Sequence, residues 1–185
     1  MPEDMDILRE MIRDDAIVST TISSYGKLQI VLTEPQYPDC EVTITGVPED
    51  TIVVRADAFK SPDSLFNGSK GECKRADFIV VANDASRKVV LYIELKKRTD
   101  SSTDIVKQLK GARCLVEYCK EVGREFWGKS GFLCNCTHRF IAITQIRLSK
   151  QKTRIKKDGG IHDRPDNFLK VSYPNNRLEF NRLVG

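Results

Sequence analysis

The sequence predicts an α/β fold, and three features of its middle third carry that expectation. Ala76-Asp77-Phe78-Ile79-Val80-Val81-Ala82 and Lys88-Val89-Val90-Leu91-Tyr92-Ile93-Glu94-Leu95-Lys96 are nearly continuous apolar runs, with apolar residues at both parities. Strands of that kind are covered on both faces, as at the centre of an α/β sheet. Asp104 to about Val122 then takes helical period, with Ile105, Leu109, Ala112, Val116 and Cys119 on one face, and Arg139 to Leu148 returns as a strand.

The remaining elements follow in order. Residues 3–14 form an amphipathic helix, because Met5, Leu8, Met11 and Ile12 recur at helical spacing among acids and arginines. Runs at 17–22, 27–32, 41–45 and 51–54 are short, β-branched and bounded by Gly, Pro or Asp, which predicts an antiparallel meander before residue 58. Residues 60–74, rich in Ser, Gly, Pro, Asp and Lys, are expected as a loop. Ser149 to Asp158 is expected as a basic loop. Residues 168–181, around Pro174-Asn175-Asn176, are expected as a terminal hairpin.

Composition bounds the function. A chain of 185 residues is expected as one domain, residues 1–185. Its 40% hydrophobic and 30% charged residues suit a packed core rather than disorder, and its net charge of +4 is modest. No apolar run is long enough to span a bilayer. The start, Met1-Pro2-Glu3-Asp4, lacks the layout of a secretory signal, so a cytoplasmic protein with reduced thiols is expected. Cys134, Cys136 and His138 offer three soft ligands within five residues. One-residue spacing departs from the usual Cys-x2–4-Cys pair, and Cys114 with Cys119 is too wide to complete it, so no zinc site is expected. His138, His162 and Trp127 are expected as packing or surface residues.

The chemistry concentrates at one strand end. A hairpin turn centred between Ala85 and Ser86 sets Asp77 directly opposite Glu94, with Cβ atoms roughly 4.5–5.5 Å apart. Lys96, two residues past Glu94, falls on the same face. Opposed carboxylates repel, and burial favours keeping one protonated. A divalent cation removes that conflict, and hard oxygen ligands suit magnesium or manganese. A metal, an activated water and an ammonium together are equipment for attack on a phosphodiester. The same residues also make a salt-bridged strand end, with Lys96 neutralising Glu94 and Asp77 capping a turn.

Asp77 followed by Glu94-Leu95-Lys96, on paired strands leading into a helix and a further strand, resembles the PD-(D/E)XK nuclease superfamily. The resemblance covers 72–148 well and the first helix more loosely. It implies a restriction-endonuclease-like core, a mixed sheet flanked by helices. It further implies that Asp77, Glu94 and the Leu95 carbonyl hold Mg2+ or Mn2+ and that Lys96 assists the attacking water. Ala76 stands where many members have Pro. A fourth acid is expected from Glu10 or Glu72, and Gln108 and Lys110 of the following helix are candidates for contacts near the scissile phosphate. The implied partner is nucleic acid, DNA in the first instance. A homodimer or a larger defence or repair assembly is the expected setting, with no membrane. A non-catalytic nucleic-acid-binding or interaction module on the same scaffold is the alternative.

Overall fold

The computed structural model describes residues 3–34, 37–84, 87–97, 101–144, 153–156, 160–172 and 177–185. Among these, two mixed sheets and a few helices stack in three layers. The larger sheet has six strands, β4 (Thr51–Arg55), β5 (Phe78–Asp84), β6 (Arg87–Lys96), β7 (Thr137–Thr144), β9 (Leu169–Ser172) and β8 (Arg154–Lys156), in that spatial order. The smaller has β1 (Thr20–Ile22), β2 (Leu28–Glu34), β3 (Tyr37–Thr45) and β10 (Arg177–Glu179). Helices α1 (Asp4–Met11) and α2 (Ser102–Trp127) cover the outer face of the larger sheet, and α3 (Phe180–Val184) closes the described chain. No helix among the described residues is long and apolar enough to cross a membrane.

The double parity of the central strands has its explanation in two cores. Val80, Ala82, Val89, Leu91 and Ile93 face the smaller sheet, where they meet Ile30, Leu32, Val42 and Ile44. Ile79, Val81, Val90 and Tyr92 face the helices, where they meet Leu8, Ile105, Leu109 and Ala112. Each fully buried aliphatic side chain contributes about 1.5–3 kcal/mol, so both faces stabilise the hairpin. The first helix is shorter than expected, since Ile12 already has extended backbone. It docks through Asp4, which is 3% exposed, pairs with Lys88 and accepts the Leu133 amide at 3.1 Å.

Three expectations are corrected. The run at 51–54 leaves the meander and pairs antiparallel with β5. Its residues are apolar on both faces, Val53 toward the smaller sheet and Ile52 and Val54 toward the helices, which an end strand of the meander does not require. The core sheet therefore begins before residue 72 and ends after 148. The terminal hairpin at 168–181 does not form: β9 lies parallel to β7 in the larger sheet, and β10 lies parallel to β3 in the smaller. Leu169 and Val171 still meet Leu178 and Phe180, but across the space between sheets. Within the stretch expected as a basic loop, Arg154–Lys156 is a strand pairing with β9. The expected turns at Ala85-Ser86 and Pro174-Asn175-Asn176, and residues 145–152 and 157–159, lie outside the described residues.

Candidate active site

The β5–β6 ladder has the expected register. Phe78 pairs with Ile93 and Asp84 with Arg87, so Asp77, one step before β5, falls opposite Glu94. The Asp77 carbonyl turns away from β6 and accepts the Ala56 amide at 2.8 Å. Asp77 and Glu94 are therefore a non-hydrogen-bonded pair, the kind in which side chains come closest. Asp77 Oδ2 accepts the Leu95 amide at 2.6 Å. The N–H and C=O of a strand residue leave on the same edge, so the Leu95 carbonyl is on the Asp77 side of β6.

Glu94 is wholly buried, at 0% exposure. Lys96 Nζ stands 2.7 Å from its Oε1. The Gln108 amide also approaches Glu94 from α2. Neither Glu94 oxygen completes a hydrogen bond of good geometry, however, and Gln108 Oε1 is buried without a partner. Burial pushes the Glu94 carboxyl up to about 7 despite Lys96. Asp77 is raised well above the usual carboxylate range, first by burial and then by the charge of Glu94. The contacts to Lys96 and to the Leu95 amide would also serve a purely structural strand end. The sealed carboxylate beside a second acid goes beyond that role, because one ammonium faces two buried carboxyls and burying the unbalanced charge is costly.

Gln108 reaches the site because α2 runs close to the chain entering β5. A Cβ on Gly111 would lie 1.7 Å from the Lys74 carbonyl oxygen, so only glycine permits that approach. Gly111 is one turn beyond Gln108 and shares its face. Lys110 does not join the site. It is exposed on another face of α2 and lines a groove with Arg113, Arg164 and Asp166.

Neither expected fourth acid is at the site. Glu10 accepts the Trp127 indole N–H at 3.0 Å, where α1 meets the end of α2. Glu72 is exposed and accepts the Lys70 amide at 2.8 Å. A further acid, Glu34 at the end of β2, is near enough for its charge to raise both carboxyls. No motif marks it. The one sequence signal was its place at the end of a strand, and only stacking of the two sheets gives that meaning.

Among the described residues no three His, Cys, Asp or Glu side chains gather closely enough to hold a metal on their own. The donors present nonetheless fit a hard cation. Two carboxylates and a main-chain carbonyl converge, and a cation would satisfy the Glu94 oxygens and relieve the repulsion with Asp77. The soft-ligand alternative gains nothing. Cys134 is exposed, Cys136 is half-buried, and His138 hydrogen-bonds to the Tyr92 hydroxyl at 2.9 Å while stacking on its ring. His162 is buried against the Leu183 carbonyl at 2.7 Å, a packing role. A scan against family models and searches of curated proteins and of solved structures find no match to this chain.

Proposed function

We propose that this protein is a metal-dependent nuclease of the PD-(D/E)XK type, on a restriction-endonuclease-like core, hydrolysing phosphodiester bonds of DNA. The observation that carries the proposal is the Asp77–Glu94 pair in closest register, with Lys96 on Glu94 and the Leu95 main chain turned toward Asp77. The order of elements supports it: an antiparallel hairpin bearing the motif, then α2, then β7 parallel to β6.

Asp77, Glu94 and the Leu95 carbonyl would hold Mg2+ or Mn2+, which supplies a Lewis acid for a phosphoryl oxygen and a water of lowered pKa. Lys96 sits at the mouth of the site, 24% exposed at its side chain, where its ammonium can orient the attacking water. The same charge opposes the negative charge that builds on phosphate during attack. Gln108 would hold Glu94 in place from the helix side. The six-stranded sheet excludes water from the rear of Glu94, so its charge acts in a low-dielectric setting.

The test is cleavage of plasmid, linear duplex and single strands by the purified chain in Mg2+, Mn2+ or chelator. Cleavage that needs the cation and is lost in both Asp77→Asn and Lys96→Ala is expected. Tight nucleic-acid binding with no cleavage under any metal would instead establish the non-catalytic binding module.

A further inference from the structure

Toward β4, the helix side of the larger sheet opens into a cleft between α1 and α2. Val54, Ile79 and Val81 form its floor, Leu115 and Cys119 of α2 one wall, and Met11 at the end of α1 the other. The space they enclose is about 430 Å3, within the range of small-molecule sites. Its walls are tied apart rather than free to close. Glu10 accepts the Trp127 indole N–H at 3.0 Å and so holds the end of α1 to the end of α2. Asp4 anchors the start of α1 through Lys88 and the Leu133 amide. At the mouth, Phe59 is braced by Arg75, 5.7 Å over its ring, and by the Tyr118 ring at 6.3 Å.

Charge is confined to that mouth, where Arg13, Asp15 and Arg55 line the opening. Asp15 is already engaged, because its two oxygens accept Arg13 Nε at 3.1 Å and Nη2 at 2.8 Å. Arg55 donates only to the Asp15 main-chain carbonyl and makes no ion pair among the described residues. One unbalanced guanidinium therefore stands over an apolar interior.

We infer that this cleft binds a free medium-chain fatty acid, with its carboxylate on Arg55 and its chain between α1 and α2. The occupant follows from charge complementarity and volume. The planar fork of a guanidinium matches a carboxylate, and one unbalanced charge calls for one anionic head. At about 30 Å3 per heavy atom, the share a water takes in the liquid, the cleft holds a chain of about a dozen carbons. A cationic amphiphile of the same length is repelled by Arg55. None of Asp77, Glu94 and Lys96 lines the cleft, so the inference stands apart from the nuclease reading.

The experiment is isothermal titration calorimetry of the full-length chain with dodecanoate at pH 8, below its micelle-forming concentration. A single site is expected, weakening about three- to fourfold for each methylene removed down to octanoate, with no gain from hexadecanoate. Dodecyltrimethylammonium is expected to bind about tenfold more weakly than dodecanoate. Arg55→Gln should weaken dodecanoate about tenfold and leave the cation no weaker. Asp15→Asn frees Arg13 and should tighten dodecanoate about threefold, a gain that misfolding cannot imitate. Ala58→Trp, at an exposed position on the mouth, should block the site, with circular dichroism confirming its fold. No binding of dodecanoate, equal binding of anion and cation, or full binding in Ala58→Trp overturns the inference. A dimer in sedimentation velocity that Ala58→Trp abolishes would assign the cleft to a second copy of the chain and overturn it as well.

Discussion

The helix side of the larger sheet has two halves that meet the same helix and share one layer. Toward β4 it is apolar: Leu8, Met11, Val54, Ile79, Val81 and Val116 line a cleft of about 430 Å3 between α1, α2 and the sheet. At the end of β6 it is charged, with Asp77, Glu94 and Lys96 where the pattern of the strand would otherwise continue as Val90 and Tyr92. Burial stabilises in the first half and opposes ionisation in the second. The charged half is therefore held in place by the apolar one, and the two should respond oppositely to substitution.

The clearest separation is in activity. Asp77→Asn or Lys96→Ala is expected to reduce metal-dependent cleavage by about 10²–10⁴-fold with little loss of fold, measured as initial rates beside circular dichroism. Phe140→Ala does the opposite. Phe140 is fully buried and stacks on Tyr92 with ring centroids 4.5 Å apart, so its removal costs about 3–5 kcal/mol in denaturant unfolding.

Next comes the pH dependence of metal-free stability. The folded protein keeps the Glu94 proton to about pH 7, against 4.5 ordinarily. Between those values the folded state binds the extra proton. Stability is fully present below about pH 4.5 and falls as pH rises through 7, by about 3 kcal/mol. Urea titrations in chelator at pH 5 and pH 8 measure it. Glu94→Gln should reduce the dependence while leaving the share carried by Asp77, whose carboxyl burial also raises, and Glu34→Gln should reduce it less, while Mn2+ should restore stability at pH 8 for wild type alone. A wild-type curve that is flat with pH would show that Lys96 already compensates the buried charge.

Smaller effects concern the helix. Gly111→Ala drives a Cβ into the Lys74 carbonyl, so α2 must shift; about 1–3 kcal/mol of stability should be lost, together with part of the activity, because Gln108 moves with it. Glu10→Ala removes the Trp127 hydrogen bond at the far end and should cost about 1 kcal/mol with cleavage unchanged. Activity lost in that variant would return Glu10 to the site.

Much of the site was legible because it depends on register. A hairpin centred at Ala85-Ser86 dictates every partner from Phe78↔Ile93 to Asp84↔Arg87, and the pleat then sets which side chains share a face. The helix was legible for the same reason, through Ile105, Leu109, Ala112 and Val116. Glu34 and Gly111 were not. Neither has a pattern of its own, and each matters through a neighbour more than thirty residues away in the chain. The end of the chain misled in a different way. Alternating strands around Asn-Asn look alike whether they pair with each other or with two different sheets, since both arrangements send Leu169, Val171 and Leu178 into one core.

Alternation and helical period, both properties of the local chain, sufficed for the α/β class, the doubly covered hairpin, the face of α2 and the meeting of Asp77, Glu94 and Lys96. Folding in three dimensions was needed to split the strands between two sheets, to set Glu34 within electrostatic reach of both carboxylates, and to align Lys170 with Glu94 across β7. Periodicity specifies which way a side chain faces, because that follows from bonded geometry. Which strand lies next to which is settled by the burial of whole faces, and a single segment carries no record of the face it will meet.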